Sequence, residues 1–344
     1  MSKRFLEQNW YWLTALVGLG AGIVAHQKIR RERSIDLRDK VVLITGGSRG
    51  LGLAMAQEFA KAGCRLALCA RDTDELTRAC KLLETYDVDV MTVPCDVSEA
   101  SQVQSMIAQV SEYYGQIDVL VNNAGIISAG PWQALTQADF AESMNVMFWG
   151  SYNTTMATLP QMRARRAGRI VNITSVGGKV SVPHLLAYAS AKFALVGFSE
   201  GLHTELAQEG IIVTTVVPGL MRTGSPRNAI VKGDRHTSEY TLFKLADTLP
   251  LSSIGVERAA RQIVKATRIG QTELIISWQA QILARLHGLC PGFVTDILTL
   301  SNRLLPSGEG VGSEGYQGKE SETALSTSWL TGLGTQAEHH YNET

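Results

Sequence analysis

A phenol and an ammonium stand four residues apart at Tyr188 and Lys192, a spacing that stacks two side chains on one face of a helix. A free tyrosine titrates near pH ~10, too high for easy proton exchange at neutral pH. A cation beside it favours the phenolate and lowers that value. The pair is therefore a candidate proton donor and acceptor. Y-x-x-x-K alone is common on solvated helix faces, so the weight falls on its company. That company is Ser175 closing an apolar run, Asn122-Asn-Ala-Gly125, Asn145, and Pro218-Gly219 with Thr223 just beyond.

Those residues need a scaffold, and the apolar pattern supplies one. Residues 40–45 are a continuous apolar run of the kind found in parallel strands buried on both faces. The run leads into Gly46-Gly-Ser-Arg-Gly50-Leu-Gly52, after which Leu53, Ala56, Phe59 and Ala60 recur at helical spacing. Strand, glycine turn and helix together make a phosphate site. The glycines let the backbone approach a pyrophosphate, and the helix start offers free N–H groups and a positive dipole end. Further strands are predicted over 65–70, 90–94, 117–121, 169–174, 211–217 and 273–277. Helices are predicted over 73–85, 98–114 (Ser98 as its N-cap) and 138–159. This alternation implies an α/β doubly wound parallel sheet, with ligands at the carboxyl ends of the strands.

The end of the second strand selects a dinucleotide. An enzyme that uses NAD usually places an acid there for the adenosine ribose diol. Here the strand ends Cys69-Ala70-Arg71. Arg71, with Arg49 from the glycine turn, offers charge-assisted hydrogen bonds to a 2′-phosphate, so NADP(H) is the expected cofactor. Asp72, one place late, speaks for NAD(H). Two solvated surface arginines are the plainer alternative.

In order and spacing, Thr45-Gly46-x-x-x-Gly50-x-Gly52, Asn122-Asn-Ala-Gly125, Asn145, Ser175, Tyr188-x-x-x-Lys192 and Pro218-Gly219 resemble the short-chain dehydrogenase/reductases across residues 38–280. The resemblance implies a Rossmann fold and a catalytic set. Tyr188 would be the general acid in carbonyl reduction and the base in reverse. Lys192 would lower its pKa and hold the nicotinamide ribose hydroxyls. Ser175 would bond the substrate oxygen as charge develops, and Asn145 would position a water linking Lys192 to solvent. A cofactor set is implied too: Gly46, Ser48, Arg49, Gly50 and Gly52 at the phosphates, Arg71 beside them, Asp96 at the adenine, and Asn123, Gly125, Tyr188 and Lys192 along the cofactor. Thr223 would contact the carboxamide, beside Pro218 and Gly219. The expected reaction is hydride transfer between a nicotinamide and a carbonyl or alcohol carbon, in a homodimer or homotetramer. Its rival is a non-catalytic, nucleotide-sensing scaffold on the same fold, against which the intact Ser175, Tyr188 and Lys192 speak.

The remaining sequence bounds the setting. Lys and Arg total 32 against 32 for Asp and Glu, so no basic field invites nucleic acid. Five cysteines without a C-x-x-C pair read as reduced thiols. His203-x-Glu205 and His339-His340 lack metal-ligand spacing, and His184 either faces substrate or packs near a turn. Residues 10–25 carry no charge and would span roughly 24 Å as a helix, against a ~30 Å hydrocarbon core. Trp10, Tyr11 and Trp12 cluster at one end, and six basic residues from Lys28 to Lys40 follow the other. These features predict a membrane anchor and basic linker over 1–36 that keep the 37–280 domain facing the cytoplasm. A cleaved signal peptide and an amphipathic or buried helix are the alternatives. Residues 224–251 suit a lid over substrate. Ile282, Leu286 and Leu289, then Phe293, Ile297, Leu300 and Leu304, predict two amphipathic helices over 281–306, broken at Cys290-Pro291-Gly292. Residues 307–344 read as a disordered tail, with Trp329, Leu330 and Leu333 as a small docking motif. A membrane-proximal site with apolar appendages points to a lipophilic ketone or alcohol.

Overall fold

Strand β1 (Val41–Thr45) is buried along its whole length, and its side chains part between two layers. Val42 and Ile44 join one apolar core, Val41 and Leu43 the other, as a strand covered on both faces requires. The structure is a computed structural model that describes residues 33–249, 252–306, 312–324, 326–328 and 331–343. Beside β1 lie β2 (Arg65–Ala70), β3 (Val90–Pro94), β4 (Val119–Asn122), β6 (Gly168–Ile173), β7 (Ile211–Pro218) and β11 (Glu273–Ile276). They form one sheet in the order β11-β7-β6-β4-β1-β2-β3, with every pairing parallel.

Helices α1 (Gly50–Lys61), α2 (Thr73–Leu83) and α8 (Val256–Ile269) cover one face. Helices α3 (Ala100–Tyr114), α5 (Gly150–Ala164) and α6 (Leu186–Leu206) cover the other. From β1 the chain winds outward to β3, then restarts at β4 on the opposite side of β1. That switch point, at the carboxyl ends of β1 and β4, is where such sheets hold ligands.

Two predicted helices differ from what forms. The helix expected from 98 starts at Ala100 with Glu99 in the cap position, because Ser98 turns its N–H and hydroxyl to the Asp96 carboxylate at 2.9 and 2.7 Å. The helix expected over 138–159 is broken into α4 (Gln137–Ser143), a π-helical turn (Met144–Trp149) and α5. A π turn inserts an extra residue and rotates the faces that follow.

Around the sheet's open edge sit β5 (Ser128–Ala129), β8 (Leu220–Arg222), β9 (Ile230–Lys232), α7 (His236–Thr248) and β10 (Ser253–Gly255). The segment expected to act as a lid thus folds as β9 and α7. Beyond β11, α9 (Trp278–Leu289) and α10 (Pro291–Asn302) pack on each other. Pro291 opens α10, where its missing N–H costs nothing.

The expectation of a disordered tail fails for its described part. β12 (Gly315–Gln317) pairs antiparallel with β9, and α11 (Gly332–His340) packs on α7. The segment has few apolar residues, so composition alone predicted disorder, but main-chain pairing and charge hold it. Lys244 Nζ lies 3.1 Å from Glu338 and 3.5 Å from Glu322, and Arg227 lies 3.7 Å from each of the same carboxylates. Lys244 and Glu338 are buried. Burial alone would lower the pKa of Lys244, yet Glu338 and Tyr240 outweigh it and hold the ammonium above its usual value. Residues 1–32, with the expected anchor, lie outside the described residues, as do Trp329 and Leu330. Among the described residues no helix is long and apolar enough to cross a membrane.

Candidate active site

The carboxyl ends of β1, β2, β3, β4, β6 and β7 open on one crevice of about 710 Å³, whose walls include Ser175, Tyr188 and Lys192. Helix α6 brings Tyr188 and Lys192 there together. Its start is set by His184, held at φ +63°. The His184 carbonyl accepts the Gly130 N–H at 2.8 Å, and its Nδ1 lies 2.6 Å from Glu239 of α7. His184 therefore packs at the turn and is not part of the crevice wall.

Lys192 is buried and donates from Nζ to the Ile173 carbonyl, at the end of β6, at 2.8 Å. The same nitrogen is 5.6 Å from the centroid of the Tyr188 ring. Ser175 Oγ accepts the Gly177 N–H at 3.0 Å, which fixes the hydroxyl at the mouth of β6. Burial pushes Lys192 down to about 8. Burial also raises Tyr188, while the Ser175 hydroxyl pulls it the other way. With Lys192 Nζ turned to the Ile173 carbonyl, burial is the larger influence on the phenol. Desolvation keeps Tyr188 a neutral acid.

Asn145 does not join them. It is exposed on the π-helical turn and is not among the crevice residues. Of that turn, Val146 lines the crevice, and Met147 is buried against the Asn122–Gly125 segment, its Cγ 3.6 Å from where a Cβ on Gly125 would lie. The extra residue of the π turn carries Asn145 away from the site, and the water-positioning role expected of it has no geometric support.

At the other end stands the glycine turn. Gly46 has φ +61°, and a Cβ on Gly52 would overlap the Gly46 carbonyl, so neither position takes a side chain. Asn123 pins the turn to β4, donating from Nδ2 to the carbonyls of Thr45 and Gly46 at 3.0 and 2.9 Å. Such a cradle fits a pyrophosphate. Its arginine is not idle, however. Arg49 lies 2.7 Å from Glu75 and 3.2 Å from the Asn228 side-chain oxygen, and Ser48 Oγ donates to Glu75 at 2.8 Å. Sequence reasoning missed Glu75. Its signal was a place in the first turn of α2, three residues after a capping acid. That cap is Asp72, which accepts the N–H groups of Asp74 and Glu75 at 2.9 Å, so the acid that spoke for NAD(H) is engaged by its own helix. Arg71 lines the crevice, is exposed, and makes no ion pair among the described residues.

Asp96, Gly125, Pro218, Gly219 and Thr223 all line the crevice. Thr223 is buried, and its hydroxyl accepts the Ser225 N–H at 3.1 Å. The Glu343 side chain also lies in the wall, beside the turn, a residue that nothing in the motifs announced. Beneath the crevice, Asn122 bonds Asn172 at 2.8 Å, Asn172 bonds Ser199 at 3.0 Å, and Ser199 bonds Thr215 at 2.7 Å. This buried polar chain ties β4, β6, α6 and β7 together, and polar residues inside otherwise apolar strands were its only trace. A second depression, lined by Leu159, Pro160, Arg163 and Glu209, lies at no strand end and holds only a lateral ion pair. Among the described residues no cluster of His, Cys, Asp or Glu could hold a metal ion.

Comparison with known proteins gives a consistent result. The family model described as short chain dehydrogenase matches residues 40–231. A dehydrogenase/reductase SDR family protein 7-like from Anopheles gambiae is 38% identical over 291 residues, covering 80% of this chain and 89% of the relative. The crystal structure of a short-chain dehydrogenase from Streptomyces avermitilis is 30% identical with a TM-score of 0.67, over 78% of this chain and 98% of that one. A variant of actinorhodin polyketide ketoreductase, solved with NADPH, is 30% identical with a TM-score of 0.62, over 69% and 95%.

Proposed function

The chain belongs to the short-chain dehydrogenase/reductase family, and from that premise we propose that it interconverts a carbonyl and an alcohol at the Ser175–Tyr188–Lys192 end of the crevice, with NADP(H) preferred. It is an oxidoreductase, and its cofactor is a nicotinamide dinucleotide, NAD(H) or NADP(H). When bound, that cofactor supplies or takes up the hydride. The observation that carries the reading is the meeting of a neutral phenol, a serine hydroxyl and a buried ammonium at one end of one crevice.

Ser175 and Tyr188 face the same space, so both can hydrogen-bond one carbonyl oxygen. As negative charge grows there, Tyr188 gives its proton and Ser175 keeps its bond. The phenolate left behind is stabilised by Lys192, which at neutral pH is still mostly cationic. In the alcohol-oxidising direction the same groups run in reverse. Replacing Tyr188 by Phe should lower kcat on a panel of ketones by about 10²–10⁴-fold, with a far smaller effect on NADPH affinity. Undiminished turnover in that variant would sink the mechanism.

The NADP(H) preference rests on Arg71, since Glu75 already neutralises Arg49 and Asp72 is held by its helix. The likeness to a ketoreductase solved with NADPH supports it. Arg71→Ala should weaken NADPH binding about tenfold, the cost of one charge-assisted contact, and leave NADH binding alone. Equal loss for both dinucleotides would argue against a 2′-phosphate contact.

The substrate is proposed to be lipophilic and the site to face the cytoplasm from a membrane anchored through residues 10–25. Ile126, Ile127, Val146 and Ile230 in the crevice wall support the first. The exposed row of Trp278, Ile282, Leu286 and Leu289 on α9, continued by Phe293, Ile297 and Leu300 on α10, supports a membrane setting. A homodimer or homotetramer is proposed on family likeness.

A further inference from the structure

Helix α1 begins without a side-chain cap, so its first N–H groups are left for whatever approaches the turn. In a dinucleotide site they would go to phosphate oxygens. Here the Gly50 N–H donates to the Tyr341 carbonyl at 2.9 Å. Asn342 brackets the turn, giving Nδ2 to the carbonyls of Ser48 and Glu75 at 2.9 and 3.0 Å and accepting from Arg78 Nε at 2.6 Å. Glu343 fills the notch that Gly50 leaves, where a Cβ would strike its Oε1. Its other carboxylate oxygen accepts from Asn228 Nδ2 at 2.6 Å and lies 3.6 Å from Arg49 Nε. Tyr341, Asn342 and Glu343 are all buried. A carbonyl and a carboxylate thus stand where the turn offers donors to phosphates.

We propose that residues 341–343 are an internal competitor for the cofactor's phosphates, so that the docked segment and a bound dinucleotide exclude each other at the glycine turn. The inference rests on the dehydrogenase reading of the crevice. The segment is delivered by a clasp built for it. β12 adds to β9, and the Lys244–Glu338 pair fastens α11 to α7, which keeps the last residues at high local concentration beside the turn. Apart from bonds to its own helix, the segment's polar contacts go to the turn, to α2, to Asn228 and, from the Tyr341 hydroxyl, to Glu257 of α8, and among the described residues none goes to Ser175, Tyr188 or Lys192. Release therefore requires moving three residues and leaves the catalytic end as it stands.

Two measurements test this, neither depending on turnover. Calorimetric titration with NADPH compares the full chain with a variant lacking residues 341–344, its folding checked by thermal unfolding. Competition predicts at least tenfold tighter binding after deletion. Hydrogen exchange on the unaltered full chain covers the case of a deletion that misfolds. The amides of Tyr341 and Glu343, bonded to the carbonyls of Ala337 and Glu338, should exchange faster when NADPH is added. Equal affinities with unchanged exchange would overturn the proposal. So would weaker binding after deletion with added protection, which would mean a segment that closes over the cofactor. If neither form binds NADPH or NADH, the dehydrogenase reading falls and takes the competitor with it.

Discussion

The two ends of the crevice are built on different terms. At the catalytic end, Ser175, Tyr188 and Lys192 come from one strand end and the helix that follows it, and Lys192 is locked by a carbonyl of the same strand. Every part is within a short stretch of chain. At the phosphate end, the glycine turn is completed by Asn342, whose bond to the Ser48 carbonyl spans 294 positions. The first end is assembled and faces open space. The second is assembled and filled. The difference teaches that chemistry and access are separate properties here: the proton donor is ready without its cofactor, while cofactor entry is set by a remote segment.

That separation is broken most severely by combining the Tyr188→Phe change with deletion of residues 341–344. The first should act on kcat by about 10²–10⁴-fold and the second on NADPH affinity alone. Because the sites share no polar partner, their effects should multiply. Strong non-additivity in steady-state and binding data would show the two ends to be one coupled unit.

The clasp offers the next largest effect. Glu338→Ala leaves Lys244, almost wholly buried, without its 3.1 Å partner. Loss of one member of a buried pair costs about 3 kcal/mol, the low end of the usual range, because Glu322 remains within reach. Urea unfolding should register that loss, and NADPH affinity should rise towards that of the deletion. A destabilised protein with unaltered affinity would separate the clasp from the cofactor site.

Legibility in the sequence follows the same division. The strands, the glycine turn and Tyr188-x-x-x-Lys192 are local patterns, with apolar runs for strands buried on both faces and fixed spacing for a helix face. They formed where expected. Asn145 was misjudged because a π turn depends on packing, and one inserted residue changes which side chain faces inward. Glu75 was missed because its meeting with Arg49 joins the ends of β1 and β2 across the crevice mouth. The closing segment was judged by its polar composition. What orders it is a set of partners, Lys244, Arg227, Asn228 and the turn itself, that only the folded sheet brings together.

The smallest effect is also the most specific to the filled end. Burial pushes Glu343 up to about 7, with Glu75 and Glu338 adding to the rise and Arg49 and Asn228 opposing it. The undocked carboxyl should titrate near its ordinary value of 4.5. Between those two values the docked segment keeps a proton that the undocked one releases. Docking is therefore fully favoured below the lower value and is lost progressively as pH rises through the upper one. Apparent affinity for NADH, which has no titrating 2′-phosphate, should climb from pH 5 to pH 7.5 by at most about tenfold per unit. Glu343→Gln keeps the carbonyl oxygen that Asn228 needs but cannot ionise, so it should flatten the climb and leave the segment docked at pH 8. Asp247 of α7, raised to about 8 by burial with Glu343 and Glu338 among its neighbours, titrates in the same window, and Asp247→Asn serves as the control. A climb that survives Glu343→Gln but vanishes in Asp247→Asn would move the sensing group from the closing segment to α7. The filled end would then answer to α7 instead of to the carboxylate that occupies it.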